Sequence, residues 1–273
     1  MDKQTDETVN YCMKAWQDNI YFILVEPKEP GNIGASARAI KNMGFRNLCL
    51  VNPPSEMNDE GRWFARNAHD VLDSVMIYRS VADAVRDKSI VVGTTRRRGK
   101  KRGIIMPADE GASRIYRIAA GNKIAILFGR EARGLLNEEV EECGFMLSIP
   151  SSRLQPSLNL SHAVLIVAYE LFRAEYGRPE PVAGGQGPYV VGPDISPVPA
   201  LAGHGEVADL CESISESLEI LEYIKRGDRN IKKKIMVNVK HFIGRAGLTE
   251  WELKMLRGLC HQVKKKVERG LPD

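Results

Sequence analysis

From residue 20 onward the chain alternates short, continuous apolar runs with segments of helical composition, and this alternation constrains the fold more than any other feature. IYFILVE (20–26) has no polar alternate positions, so it reads as a strand covered on both faces. GNIGASARAIKNMGF follows with helical composition and stops at Gly44, a suitable carboxyl-terminal cap. NLCLVNPP is a second strand ended by two prolines, and a helix-like stretch at 59–69 precedes a third, SVMIYRS. Ser80 and Asp83 then start a short helix. SIVVGTT (89–95), a helix over 109–120, KIAILFG (123–129), the short helix NEEVEECG, FMLSIPS and a closing helix over 158–176 complete the series. The pattern predicts an α/β fold: a mostly parallel six-stranded sheet with helices on both faces, spanning 20–176 after a polar extension at 1–19.

After Tyr176 the composition changes. Residues 177–205 are dense in Gly and Pro and poor in periodic apolar residues, as in a linker. Three amphipathic helical patterns follow at 206–226, 228–244 and 249–269, predicting a small C-terminal helical domain over 206–273. In the second, Ile231, Ile235, Val239 and Phe242 share a face; in the third, Thr249 and Glu252 form a capping box ahead of a Leu256, Leu259, Val263 and Val267 stripe.

Several classes are disfavoured. No apolar run approaches the roughly 20 residues of a membrane span, and the N-terminus has no apolar signal core, so the expectation is a cytoplasmic protein with no membrane partner. Five scattered cysteines without a CxxC pair indicate neither a zinc site nor a disulfide framework, and no metal is expected. The net charge of +4 is modest, but RRRGKKR (96–102) places six cations in seven positions directly after a strand. There a phosphate-contacting role for Arg97, Arg98, Lys100, Lys101 and Arg102 is favoured over a merely solvated face. The KKK triplets at 232–234 and 264–266 fit either reading.

Ligands of open α/β sheets bind where strands lead into helix amino termini. Four such loops carry unusual residues: EPKEPGNIGASAR (26–38), GTTRRRGKKR (93–102), FGREARGL (128–135) and IPSSRLQPSLNLS (149–161). The first is neither GxGxxG nor a P-loop, and alone its Gly-Asn start is mostly capping chemistry. Together, however, N-x-G-x-x-x-R, L-F-G-R-E-x-x-G-L and I-P followed by S-L-N-L-S resemble the three signature motifs of the SpoU branch of the SPOUT methyltransferases, over about residues 20–175. The tail RAGLTEWELKMLRGL (245–259) is similar to that of a bacterial group that methylates the ribose 2′-hydroxyl of nucleotide 32 in the tRNA anticodon loop.

The resemblance implies a C-terminal trefoil knot in the sheet domain, a homodimer, and S-adenosyl-L-methionine held among the knot loops. It implies catalytic roles for Arg38, Asn32, Glu131, Ser157 and Asn159. Arg38 would activate or position the ribose hydroxyl and Glu131 would hold the loops. It also implies cofactor contacts at Thr94, Thr95, Arg96, Leu127, Gly129, Ile149, Pro156, Ser157 and Leu158. Ser157 is equally placed to cap the following helix. The leading expectation is a tRNA 2′-O-ribose methyltransferase. The alternatives are a ribosomal RNA methyltransferase of the same branch and a catalytically silent RNA-binding protein.

Overall fold

A computed structural model describes residues 16–54, 59–97, 103–175, 199–224 and 229–268. Among these, seven strands form one sheet, β1 (Ile20–Val25), β2 (Asn47–Val51), β3 (Met76–Tyr78), β4 (Ile90–Thr94), β5 (Ile105–Pro107), β6 (Ile124–Phe128) and β7 (Phe145–Ser148). Their order is β3-β2-β1-β6-β4-β7-β5 and every pairing is parallel. The unbroken apolar runs lie at the centre: Leu24 of β1 sits beside Leu50 on one side and Phe128 on the other. Cores cover both faces. One gathers Phe22, Phe45, Ile126 and Val164, the other Ile23, Val51, Leu127 and Met146.

The helices of this domain are α1 (Pro30–Asn42), α2 (Asp59–Phe64), α3 (His69–Asp73), α4 (Val81–Val85), α5 (Ala108–Ala119), α6 (Asn137–Glu141) and α7 (Leu160–Glu175). Gly44 follows α1 at φ 79°, the left-handed conformation expected of its cap. Ser80 caps α4 by accepting from the Asp83 amide at 3.1 Å. Trp16, within the expected polar extension, is buried with its ring edge-on to Phe45 and Tyr116.

Two expectations are corrected here. The sheet has a seventh strand, β5, because three residues behind a cationic run suffice to pair with β7 at an edge, where Pro107 costs no ladder bond. The single helix expected at 59–69 is two, α2 and α3, because Asn67 takes φ 62° and turns the chain between them.

Three C-terminal helices follow, α8 (His204–Ile220), α9 (Arg229–Ala246) and α10 (Glu250–Glu268), around a core of Leu210, Cys211, Ile243, Leu248 and Leu253. The Thr249–Glu252 capping box forms as expected. The apolar stripes point inward only in part: Val239 and Leu256 pack on this core as expected, whereas Ile231, Phe242, Leu259 and Val267 are exposed and Met236 and Ile243 of α9 pack inward instead. The rotation of α9 is set by its docking on the sheet domain. A Cβ on Gly144 would lie 1.8 Å from the Gly244 carbonyl oxygen, so the two backbones touch and face each other. Around this contact Glu142 accepts from Lys240 at 2.7 Å and pairs with His204 at 2.8 Å. Burial opposes the Glu142 charge, but hydrogen bonds from His204 and Lys240 prevail and hold its carboxyl down at about 2.

Candidate active site at the carboxyl ends of the strands

The loop after β6 is the most constrained backbone in the site. Gly134 takes φ 67° and its amide donates to the Arg130 carbonyl at 2.8 Å, folding residues 129–135 back on themselves. A Cβ on Gly129 would lie 2.2 Å from the Gly134 carbonyl carbon. Both glycines of the L-F-G-R-E-x-x-G-L motif are therefore steric requirements.

Two side chains of that loop tie it to the rest of the site. Arg130 donates two hydrogen bonds to Glu26, at 2.6 and 2.8 Å, and pairs with Glu139 at 3.0 Å. Its hydrogen bond to Glu26 raises its already high pKa, while the same contact lowers that of Glu26. Glu131 accepts from the Lys28 amide at 3.3 Å and from Asn32 Nδ2 at 3.0 Å. Asn32 Oδ1 in turn accepts from Asn159 Nδ2 at 2.9 Å. Asn159 Oδ1 accepts from the Ser161 amide at 2.8 Å, so Asn159 is the cap of α7. One hydrogen-bonded chain, Glu131–Asn32–Asn159, thus ties the first turn of α1 to the loop after β6, 99 residues on, and to the cap of α7, 127 residues on.

Two hollows flank this chain. The first, a cleft partly open to solvent, is lined by Thr94, Thr95, Arg96, Gly129, Ile149, Pro156, Ser157 and Leu158. Leu127, expected beside them, is buried and acts through its carbonyl, which accepts from Thr94 Oγ1 at 2.9 Å. Ser157 is exposed on the cleft wall and does not cap α7; that role falls to Asn159. Phe128, Leu147 and Leu160 complete an apolar wall, and Arg97, Arg133 and Glu131 add charge.

The second hollow is a groove floored by Gly31, Ala35 and Ala39 of α1 and bordered by Asn32, Arg38 and Asn159, with Phe64 and His162 on its rims. Arg38 is exposed, and among the described residues it has no hydrogen-bond or ion-pair partner. The five expected catalytic residues are therefore divided: Glu131 and Ser157 line the cleft, Asn32, Arg38 and Asn159 line the groove, and the Asn32–Glu131 bond bridges them.

Arg97 lies on the cleft, its amide held by Thr95 Oγ1 at 3.0 Å, whereas Arg98, Lys100, Lys101 and Arg102 fall outside the described residues. Sequence reasoning missed Arg130 and Arg133. The signal for Arg130 was present, since an arginine next to Glu131 in a closed glycine loop needs carboxylates nearby. Among the described residues no group of three or more His, Cys, Asp or Glu could hold a metal ion.

The chain is 31% identical over 259 residues to a tRNA (cytidine/uridine/adenosine-2′-O-)-methyltransferase TrmJ of Pseudomonas aeruginosa, covering 93% of this chain and 96% of that one. It is 40% identical over 157 residues to a tRNA (cytidine-2′-O-)-methyltransferase TrmJ of Methanocaldococcus jannaschii, covering 56% of this chain and 67% of the relative. The crystal structure of TrmJ from Zymomonas mobilis superposes with a TM-score of 0.71 at 27% identity, covering 89% of this chain and 98% of the other. The SpoU rRNA Methylase family matches residues 19–169, the segment that builds both hollows and the hydrogen-bonded chain between them, and the protein belongs to that family.

Proposed function

We propose that this protein is an S-adenosyl-L-methionine-dependent methyltransferase acting on a ribose 2′-hydroxyl of tRNA, at nucleotide 32 of the anticodon loop. The observation that carries the reading is the Glu131–Asn32–Asn159 chain, which sets a groove with an arginine unpartnered among the described residues against a cleft with an apolar wall. The 2′-O-methyltransferase relatives named above support the choice of tRNA.

The cleft suits S-adenosyl-L-methionine. Its apolar wall of Phe128, Leu147, Ile149 and Leu158 fits an adenine ring, and the closed Gly129–Gly134 turn lines the same space. When bound there, the cofactor supplies an electrophilic methyl group on a sulfonium. Arg38 does the complementary work. A ribose hydroxyl is a very weak acid, and a guanidinium stabilises the alkoxide that develops on it. A guanidinium offers donors and no acceptor, so the proton passes to an adjoining phosphate or another base. Asn32 and Asn159 hold the groove in register with the cleft, and Glu131 fixes the loops around both.

RNA contacts are assigned to Arg97 and its sequence neighbours Arg98, Lys100, Lys101 and Arg102. They extend to α9, which contains no acidic residue and exposes Lys234, Asn238 and Phe242. A cytoplasmic homodimer is part of the same reading: α7 leaves Leu165 and Tyr169 exposed beside the groove, an apolar face suited to a second copy. The placement of β7 between β4 and β5 supports the trefoil knot.

The test is to incubate the protein with S-adenosyl-L-methionine and unmodified tRNA transcripts, digest to nucleosides and search for 2′-O-methylcytidine and 2′-O-methyluridine by mass spectrometry. Their appearance is expected. Their absence with the cofactor still bound transfers the reading to ribosomal RNA, and absence of cofactor binding as well leaves a silent RNA-binding protein.

A further inference from the structure

Phe64 closes one side of the Arg38 groove, and its neighbour Trp63 stands outside the groove with 63% of its surface exposed. The two rings meet edge to face at 5.1 Å, and the Arg66 guanidinium lies 5.7 Å from the centre of the Trp63 ring. An exposed Trp-Phe pair is uncommon on a protein surface without a partner. This pair is also held rigidly. A Cβ on Gly34 would lie 1.9 Å from the Gly61 carbonyl oxygen, so α2 is pressed backbone to backbone against α1. Arg62 is bonded to Asp73 at 3.0 Å, and the Arg62 carbonyl meets His69 Nε2 at the same distance. The aromatic pair therefore keeps a fixed position relative to Arg38. Phe64 borders Gly31, and Arg38 lies seven residues further along α1, roughly 10 Å away at the helical rise. That span, lengthened by the step from the Phe64 ring to the Trp63 ring, is within reach of a short single strand.

We propose that Trp63, backed by Arg66, is a stacking platform for an unpaired base flanking the nucleotide whose ribose meets Arg38. The inference rests on the reading of Arg38 given above. Single-stranded loop bases are recognised by stacking on aromatic rings with a cation close by. Such a nucleotide satisfies both exposed groups at once, its base covering Trp63 and its phosphate meeting Arg66, which has no ion-pair partner among the described residues. A second copy of the chain would cover the indole but would leave the guanidinium needing a carboxylate. Glu60, bordering Phe64 in the groove, repels phosphate, so the base and not the backbone faces that side.

The experiment uses the full-length protein and an unmodified anticodon stem-loop RNA. Trp63→Ala is expected to raise KM for the RNA by about 5- to 100-fold. Trp63→Phe should retain most of the affinity, and cofactor affinity and sedimentation should stay unchanged in both. In a Trp251→Phe background, where Trp16 is buried, the RNA should quench indole emission through Trp63. Quenching without methylation would uphold the stacking platform and remove the enzymatic reading. Methylation without quenching, and with KM unchanged in Trp63→Ala, would overturn the platform. A shift of the Trp63→Ala variant to a smaller species would also overturn it, assigning the indole to a contact between copies.

Discussion

The cleft and the groove lie side by side yet are built differently. On the cleft side the groups that hold the loops in shape are already spoken for, Arg130 by two carboxylates, Glu131 by an amide and Asn32, Thr94 by a carbonyl, while Arg96, Arg133 and Ser157 stay exposed on the lining. Along the groove Arg38 and, beside it, Arg66 and Trp63 face outward with no ion-pair or hydrogen-bond partner among the described residues. The difference teaches which ligand each hollow awaits. A small cofactor is held by a preorganised pocket that needs little rearrangement, whereas a polyanion is met by free cations and open rings whose neutralisation occurs only on binding.

Perturbing the preorganised side should have the largest effects. Gly129→Ala forces a methyl group onto the Gly134 backbone, so the loop must open, at about 3 kcal/mol or more. Calorimetry should show cofactor binding lost and the melting temperature reduced. Arg130→Ala strands Glu26 and Glu139 near the cleft; with Arg130 and Glu139 both largely buried, a loss of about 3 kcal/mol is expected in chemical denaturation.

On the outward-facing side the effects should be smaller and should appear in RNA binding alone. Neutralising Arg98, Lys100, Lys101 and Arg102 together, with Arg97 of the cleft left intact, should weaken tRNA binding by about 10- to 100-fold at low salt and flatten its salt dependence, with cofactor affinity unchanged. Equal tRNA affinity before and after, by filter binding, would remove this loop from the RNA surface.

Away from both hollows, Glu142 gives the smallest effect and a pH signature. Its folded carboxyl lies at about 2, below its ordinary value of 4.5, so its stabilisation of the helical domain is complete above the ordinary value and is lost as pH falls from there towards 2. Glu142→Gln should cost about 1–2 kcal/mol at neutral pH and should flatten the acid limb of an unfolding profile between those limits. A profile unchanged by the substitution would show that Glu142 does not hold α9 to the sheet.

Much of this was legible in the chain because the relevant forces are local. The buried strands announce themselves as unbroken apolar runs, and Ser80, Gly44 and Thr249 cap helices as their positions imply. The four loops likewise stand at strand ends where a parallel sheet places its ligands. What stayed hidden depends on pairings distant in sequence or on a single backbone angle. β5 exists only because β7 offers it an edge, and Asn67 splits a helix by adopting a left-handed turn. Only Val239 of the expected α9 stripe is placed in this core, with Ile231 and Phe242 exposed, because Gly144, a hundred residues away, helps decide which face turns inward. The bonds linking Glu131, Asn32 and Asn159 fall in the same class: the residues were identified, their connection was not. The division of the five expected catalytic residues between two hollows follows from that connection.

The most direct test of this division is Arg38→Ala assayed for two quantities on one preparation: S-adenosyl-L-methionine affinity by calorimetry and 2′-O-methylated nucleosides in tRNA by mass spectrometry. The account predicts unchanged cofactor affinity with methyl transfer reduced at least about 100-fold, the scale of losing a charge-stabilising donor. Full methylation by the variant would contradict it, and so would loss of cofactor binding, because Arg38 would then belong to the cleft.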